Sequence, residues 1–200
     1  MKYSVIIPTM WRSERTLPML RELDGCEFVK EIVIIDNEVS SCPDLSGISK
    51  LVYLPQKKNI YVNPAWNLGV ETSTSEYFCI LNDDISFDVS LAFKRASRCF
   101  NVGYTLIGLD QLSYDYIDER KVASEYYGFG CCIFAAKKEW KPIPDNFLIY
   151  FGDTWMVSTY SAVYKIVIDV ETEMSTTSSS EEFSKMKETE HLEWQKLQKI

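Results

Sequence analysis

Five consecutive aromatic or aliphatic residues, Tyr77-Phe78-Cys79-Ile80-Leu81, run straight into Asn82-Asp83-Asp84, and this junction restricts the fold more than any other stretch. An apolar run of that length bounded by polar residues reads as a buried strand. Carboxylates directly after such a strand lie where open α/β sheets bind ligands, outside the carboxyl ends of the strands. Hard oxygen ligands of this kind suit Mg²⁺ or Mn²⁺, which in turn grips a diphosphate. A tight turn is the competing reading, because Asn and Asp favour turns.

Two further apolar runs end in polar residues, one of them acidic. Glu31-Ile32-Val33-Ile34-Ile35 stops at Asp36-Asn37-Glu38, and Tyr3-Ser4-Val5-Ile6-Ile7 stops at Pro8-Thr9. Between them Leu17, Leu20 and Leu23 recur at helical spacing, with Ser13 or Thr16 as the expected N-cap. Strand, helix and strand at this separation form a right-handed parallel crossover. Thr9, Asp36 and the acidic triplet therefore collect on one sheet edge, which turn chemistry alone does not arrange.

In order and interval these segments, with Asn59 and Asn67-Leu68-Gly69 between them, resemble family-two glycosyltransferases, in particular the rhamnosyltransferase-like branch. The segment Asn59 to Val70 is similar to that branch's middle motif. The likeness covers about the first 90 residues and continues loosely to about residue 156. It implies a single GT-A domain of class α/β: a Rossmann-like, mixed but mostly parallel sheet flanked by helices. A nucleotide-sugar half spans about residues 1–88 and an acceptor half about 89–170, followed by a polar loop over 171–182 and a C-terminal helix over 183–200. It also implies a nucleotide-sugar donor, UDP- or dTDP-linked, and a divalent cofactor, Mn²⁺ or Mg²⁺. The acceptor is left open among a glycan, a protein side chain, a lipid-linked sugar and a modified nucleobase.

The resemblance carries roles onto individual residues. Asp84 is the first metal ligand; Asp83 either assists it or accepts a ribose hydroxyl. Asn82 replaces an acid often found there. Asp36 matches the family acid that accepts from the nucleobase, its alternative being to cap the next turn. Pro8 and Thr9 line that cleft. Asn59 and Asn67 contact the diphosphate or hold loops, loop-holding being favoured for Asn67. Asp153, in Gly152-Asp153-Thr154-Trp155, is the expected general base of an inverting transfer; the alternative is an N-cap. Gly152 stands where an acid is often found. Relatives carry a metal-binding histidine near the strand written here as Val163 to Val170, and none occurs there. His191 is the single histidine; it or Glu173 is the candidate replacement, Glu171 being another, although a histidine beside Trp194 suits packing.

Composition fits one soluble domain: 200 residues, 46% hydrophobic and 14% aromatic. No apolar run approaches the roughly 20 residues that span a bilayer, and Pro8 breaks the amino-terminal segment, which argues against a signal peptide. A net charge of −8 opposes a broad nucleic-acid track. Six cysteines lack zinc-site spacing, and Cys79 and Cys131 read as buried thiols of a reducing, cytoplasmic compartment.

Leu51 to Leu54 and Tyr104 to Leu109 read as further strands, and Val89 to Cys99 as a helix. Asn63-Pro64 reads as a helix start, Asn as N-cap and Pro at the first helical position, with the helix running to about Ser73. Tyr126 to Phe134 reads as a strand reached through a glycine-rich bend. Phe183, Met186, Trp194 and Leu197 share one face of the terminal helix. Two other functions remain in view. A sugar nucleotidyltransferase would carry a glycine-rich loop after the first strand, and Pro8 to Arg12 has no glycine. A non-catalytic nucleotide-sugar binder is favoured by Asn82, Gly152 and the missing histidine, and opposed by Asp84 and Asp153.

Overall fold

The computed structural model describes residues 1–110, 131–167, 170–172 and 181–198. The expected opening unit is present: β1 (Tyr3–Thr9), α1 (Thr16–Gly25) and β2 (Val29–Asp36), with the two strands parallel. Next come β3 (Leu51–Pro55), α2 (Val62–Thr72), β4 (Tyr77–Leu81), a short β5 (Ile85–Phe87) and α3 (Val89–Asn101). The second half contributes β6 (Leu106–Asp110), β7 (Cys132–Ala136), α4 (Gly152–Thr159), β8 (Val163–Val167), β9 (Val170–Thr172) and α5 (Glu181–Leu197).

Seven strands form one sheet in the order β3-β2-β1-β4-β7-β6-β8, and β5 pairs with β9 in a separate ribbon. Among the described residues only β7 runs against its sheet neighbours, antiparallel to both β4 and β6. Alternate residues of each central strand feed two cores. Val5, Ile7, Ile32, Ile34, Cys79 and Leu81 pack beneath α1 and α3; Ile6, Val33, Ile35, Phe78 and Ile80 pack beneath α2 and α4. A sheet covered on both faces has continuous apolar strands, which is why the β1, β2 and β4 runs were legible. The sheet is mixed and mostly parallel, as expected. All six cysteines are free, with Cys79 and Cys131 buried. Among the described residues no helix is long and apolar enough to cross a membrane.

Several local expectations are corrected. Neither Ser13 nor Thr16 is the N-cap of α1. Arg15 holds that position, the Ser13 hydroxyl accepts from the Arg15 N–H, and Thr16 is already helical. Asn63 does not cap α2. The helix begins at Val62 behind Tyr61, and the Asn63 amide is drawn instead to a distant carbonyl, that of Tyr150. The stretch 171–182 is not wholly a polar loop, since its first two residues pair within β9 and Glu181 opens α5. Leu197, expected on the packed face of α5, is exposed. The glycine-rich bend over 126–130 and most of the 110–130 segment lie outside the described residues.

Gly69 sets how closely α2 approaches the sheet. A Cβ there would lie 2.2 Å from Cγ2 of Ile6 and 3.1 Å from Cδ1 of Ile35, both fully buried. Alanine would gain about 1 kcal/mol of helix propensity, but the overlap involves a close-packed strand that cannot yield locally. We expect Gly69→Ala to lower stability by about 1–3 kcal/mol net in urea titration. Equal or greater stability would show that α2 has room to lift from β1.

Candidate functional site

The strand order reverses at β1, with β2 on one side and β4 on the other. Such a switch point opens a crevice at the carboxyl ends of the strands. β1 follows β2 as far as Thr9 opposite Asp36, whereas its pairing with β4 stops at Ile6 opposite Ile80. Past that point side chains close the gap. The Thr9 hydroxyl, 3% exposed, donates to Oδ2 of Asp83 at 2.5 Å. Its oxygen also accepts from the N–H of Trp11 at 2.9 Å. The Thr16 hydroxyl lies 2.9 Å from the Asp83 carbonyl, which ties the first turn of α1 to the acidic pair. The sequence pointed to Thr9 and Asp83 separately but not to Thr16.

Burial pushes the Asp83 carboxyl above its ordinary pKa; the donation from Thr9 opposes this, and the neighbouring charge of Asp84 adds to the rise. The donor set therefore fits a hard divalent cation, which would relieve both the desolvation and the repulsion. Among the described residues no third carboxylate, thiol or imidazole joins the pair in a metal-sized group. His191, a candidate ligand, packs its ring 5.8 Å from that of Phe151 and places Nε2 2.7 Å from Nε2 of Gln195. Glu171, a further candidate, pairs with Ser86 in the β5–β9 ribbon, and Glu173 lies outside the described residues. The chain just before it is placed: Thr172 of β9 pairs with Ile85, the residue after Asp84.

Asp36 is fully buried. Its Oδ1 accepts from the Glu38 N–H at 2.8 Å, and its Oδ2 accepts from the Tyr53 hydroxyl. These bonds hold the turn after β2; contact with a nucleobase requires the Tyr53 hydroxyl to release the carboxylate or share it. Asn37, passed over in the sequence, joins three segments. Its N–H donates to the Thr9 carbonyl at 2.9 Å, and its Oδ1 accepts from the Ile60 N–H at 3.0 Å. Oδ1 of Asn59 accepts from the Tyr61 N–H at 2.8 Å, and its Nδ2 sits 3.8 Å from the Met10 sulfur. Asn67 holds a loop, as favoured: it donates to the Ile143 carbonyl and accepts from the Ile143 N–H, both at 2.9 Å. Pro8 stays within the sheet, opposite Ile35.

Asp153 is the second residue of α4, and the N-cap is Phe151 with no side-chain capping bond, so Asp153 does not take the capping role. Its Oδ1 accepts from the Thr154 N–H at 2.8 Å. A carboxylate in a first helical turn is favoured by the orphan N–H groups there. Gly152 has a steric cause. A Cβ would lie 2.1 Å from Oδ1 of Asn63 and 2.9 Å from Trp66, so α2 fills the space that an acid's side chain would need. Three aromatic residues adopt positive φ around these segments: Trp11 at 58°, Tyr61 at 66° and Phe151 at 61°. Bulky residues in that region are strained, by about 1–3 kcal/mol each, and collect at functional sites.

No protein-family model and no curated protein matches this chain. Solved structures do. TarS from S. aureus, a GT-A glycosyltransferase, superposes through its 1–349 fragment in complex with UDP at TM-score 0.63 and 13% identity, covering 83% of this chain and 58% of that one. The fold is GT-A. The same fragment in complex with UDP-GlcNAc gives TM-score 0.60 and 14% identity, over 93% of this chain and 64% of that one. HddC from Yersinia pseudotuberculosis gives 0.58 and 12%, over 95% and 99% of the two chains. The chain thus spans less than two thirds of the TarS fragment, and identity this low speaks to the GT-A architecture alone.

The buried carboxylate yields a pH signature. A carboxyl whose pKa is raised on folding contributes stability below its unfolded value and loses it as pH climbs through the folded value. Asp83→Asn keeps an oxygen for Thr9 and removes the charge. In chelator, we expect the variant to melt about 2–4 °C above the parent at pH 7, with the gap closing towards pH 4. A lower midpoint at pH 7 would contradict the assigned repulsion.

Proposed function

We propose that this chain moves a sugar from a nucleotide-sugar donor, UDP-linked in the first instance and dTDP-linked in the second, to an acceptor hydroxyl with inversion. The observation that carries this reading is the Thr9–Asp83 bridge at the switch point of a GT-A sheet, beside Asp84. Support comes from TarS, which shares the fold and was solved with UDP and with UDP-GlcNAc. Asp84 with Asp83 would hold Mg²⁺ or Mn²⁺, the remaining positions filled by diphosphate oxygens and water, as this class of cation prefers. Such a cation supplies neutralisation of the charge that builds on the leaving diphosphate.

The protein's own groups do the rest. Thr9 fixes the orientation of Asp83, and Asn37 and Asn59 hold the turns beside the crevice. Asp153 takes the proton of the acceptor hydroxyl as that oxygen bonds to the anomeric carbon and the bond to the diphosphate breaks. A base on the face opposite the leaving group gives inversion. A binder without turnover is the second reading, favoured by Gly152, which leaves Asp153 as the carboxylate at the head of α4.

Calorimetry with UDP should show binding about tenfold tighter with Mn²⁺ than in chelator, and Asp84→Asn should remove that gain. Unchanged coupling in the variant would exclude Asp84 as a ligand. Asp153→Asn should slow UDP release from the preferred UDP-sugar by about 10²–10⁴-fold while leaving UDP affinity intact. Near-normal release, or a product of retained configuration, would remove Asp153 from the chemistry.

A further inference from the structure

The terminal helix carries an acid in its packed stripe. Phe183, Met186, Glu190 and Trp194 follow one another at intervals of three or four, and Glu190 is 2% exposed while its neighbours Thr189, His191 and Leu192 face solvent. Burying a carboxylate is costly unless donors compensate. Here three successive peptide groups offset part of that cost, and burial still holds the carboxyl above its ordinary pKa. Oε1 of Glu190 accepts from the N–H of Leu148 at 3.0 Å and of Ile149 at 3.2 Å, and Oε2 accepts from the N–H of Tyr150 at 2.8 Å.

The other edge of the same segment is held by α2. The Asn63 N–H donates to the Leu148 carbonyl, and its Nδ2 to the Tyr150 carbonyl, each at 2.9 Å. The segment then passes through Phe151, whose φ of 61° turns the chain into α4 and whose ring stacks on Trp194 at 5.8 Å and 12°. The Phe151 carbonyl accepts from the Trp155 N–H at 2.8 Å, closing the first turn that carries Asp153. Bonds at Leu148, Ile149, Tyr150 and Phe151 therefore lead from Glu190 to the turn that carries Asp153.

We propose that Glu190 is a positioning residue for Asp153: a carboxylate from α5 that sets the peptide planes of 148–150 and thereby the direction in which α4 presents its acid. This rests on the reading of Asp153 as the base. It gives α5 a task in the reaction and explains why a highly charged helix turns one glutamate inwards. A side chain that acts this way alters turnover and leaves the donor end, at β1 and β4, untouched.

The test is Glu190→Gln in the full chain. Glutamine has the same shape but a single acceptor oxygen, so its NH₂ faces backbone N–H groups and unpairs at least one of them. Far-UV circular dichroism should be unchanged. Amide exchange at Leu148 to Tyr150 should rise about tenfold or more. The ¹³C carboxyl resonance of Asp153 should move while those of Asp36 and Asp83 stay. UDP affinity should hold within about twofold, whereas UDP release from a UDP-sugar panel should fall about 10–10²-fold. Glu190→Asp, which keeps the charge and shortens the reach, should give an intermediate loss. Faster exchange with an unmoved Asp153 resonance and normal release would make Glu190 a structural clamp only and overturn the proposal. Unchanged exchange would overturn the clamp itself. Full release by Asp153→Asn would instead sink the base reading, and the Asp153 resonance in Glu190→Gln would still report whether Glu190 positions it.

Discussion

A sheet buried on both faces can carry polar groups only at its strand ends. β1, β2 and β4 are apolar almost throughout, so the first positions able to present chemistry are Thr9, Asp36 and the residues after Leu81. Desolvation then acts on whatever acid stands there. Asp83 bears that cost, partly offset by Thr9, and the charge of Asp84 beside it makes the edge a place that a cation would stabilise. The whole donor side follows from this one constraint. The asparagine bonds and the Asp36 turn hold the loops around it, and the strained Trp11 and Tyr61 accompany the same loops.

The approach to α4 is built on a different principle. α4 is short and its N-cap makes no side-chain bond, so its direction is set by what grips the segment before it. α2 holds the carbonyl edge through Asn63, and α5 holds the N–H edge through Glu190. Asn63 fills the space beside Gly152 as well, which explains how a glycine stands there without leaving a hole. Two glycines, Gly69 and Gly152, thus let α2 touch both the sheet and α4.

Much of the donor half was legible because its signals are periodic or local. Apolar runs that end in polar residues marked β1, β2 and β4, and the ordered motifs pointed to the GT-A fold. Cross-chain bonds were not legible in the same way. Asn63 stands before a proline, where local preference says N-cap, but an unpaired carbonyl distant in sequence wins it. Asn37 and Thr16 carry no periodic mark, and their roles exist only once β1, α1 and β4 meet. Glu190 did leave a trace, being the acid that falls within the apolar stripe of α5. The antiparallel direction of β7 has no signature in a buried five-residue run, and polar composition announces neither the pairing that starts the 171–182 stretch nor the helix that ends it.

The central claim is that the acids after β4 hold a diphosphate through a cation. A crystal grown with UDP and Mn²⁺, measured at the manganese absorption edge, tests it directly. The expected result is an anomalous peak about 2.0–2.3 Å from a carboxylate oxygen of Asp84, with diphosphate oxygens completing the shell and the nucleoside in the crevice at the carboxyl ends of the strands, where β1 and β4 part. UDP seated elsewhere, or bound at this edge with manganese absent from Asp84, would contradict it.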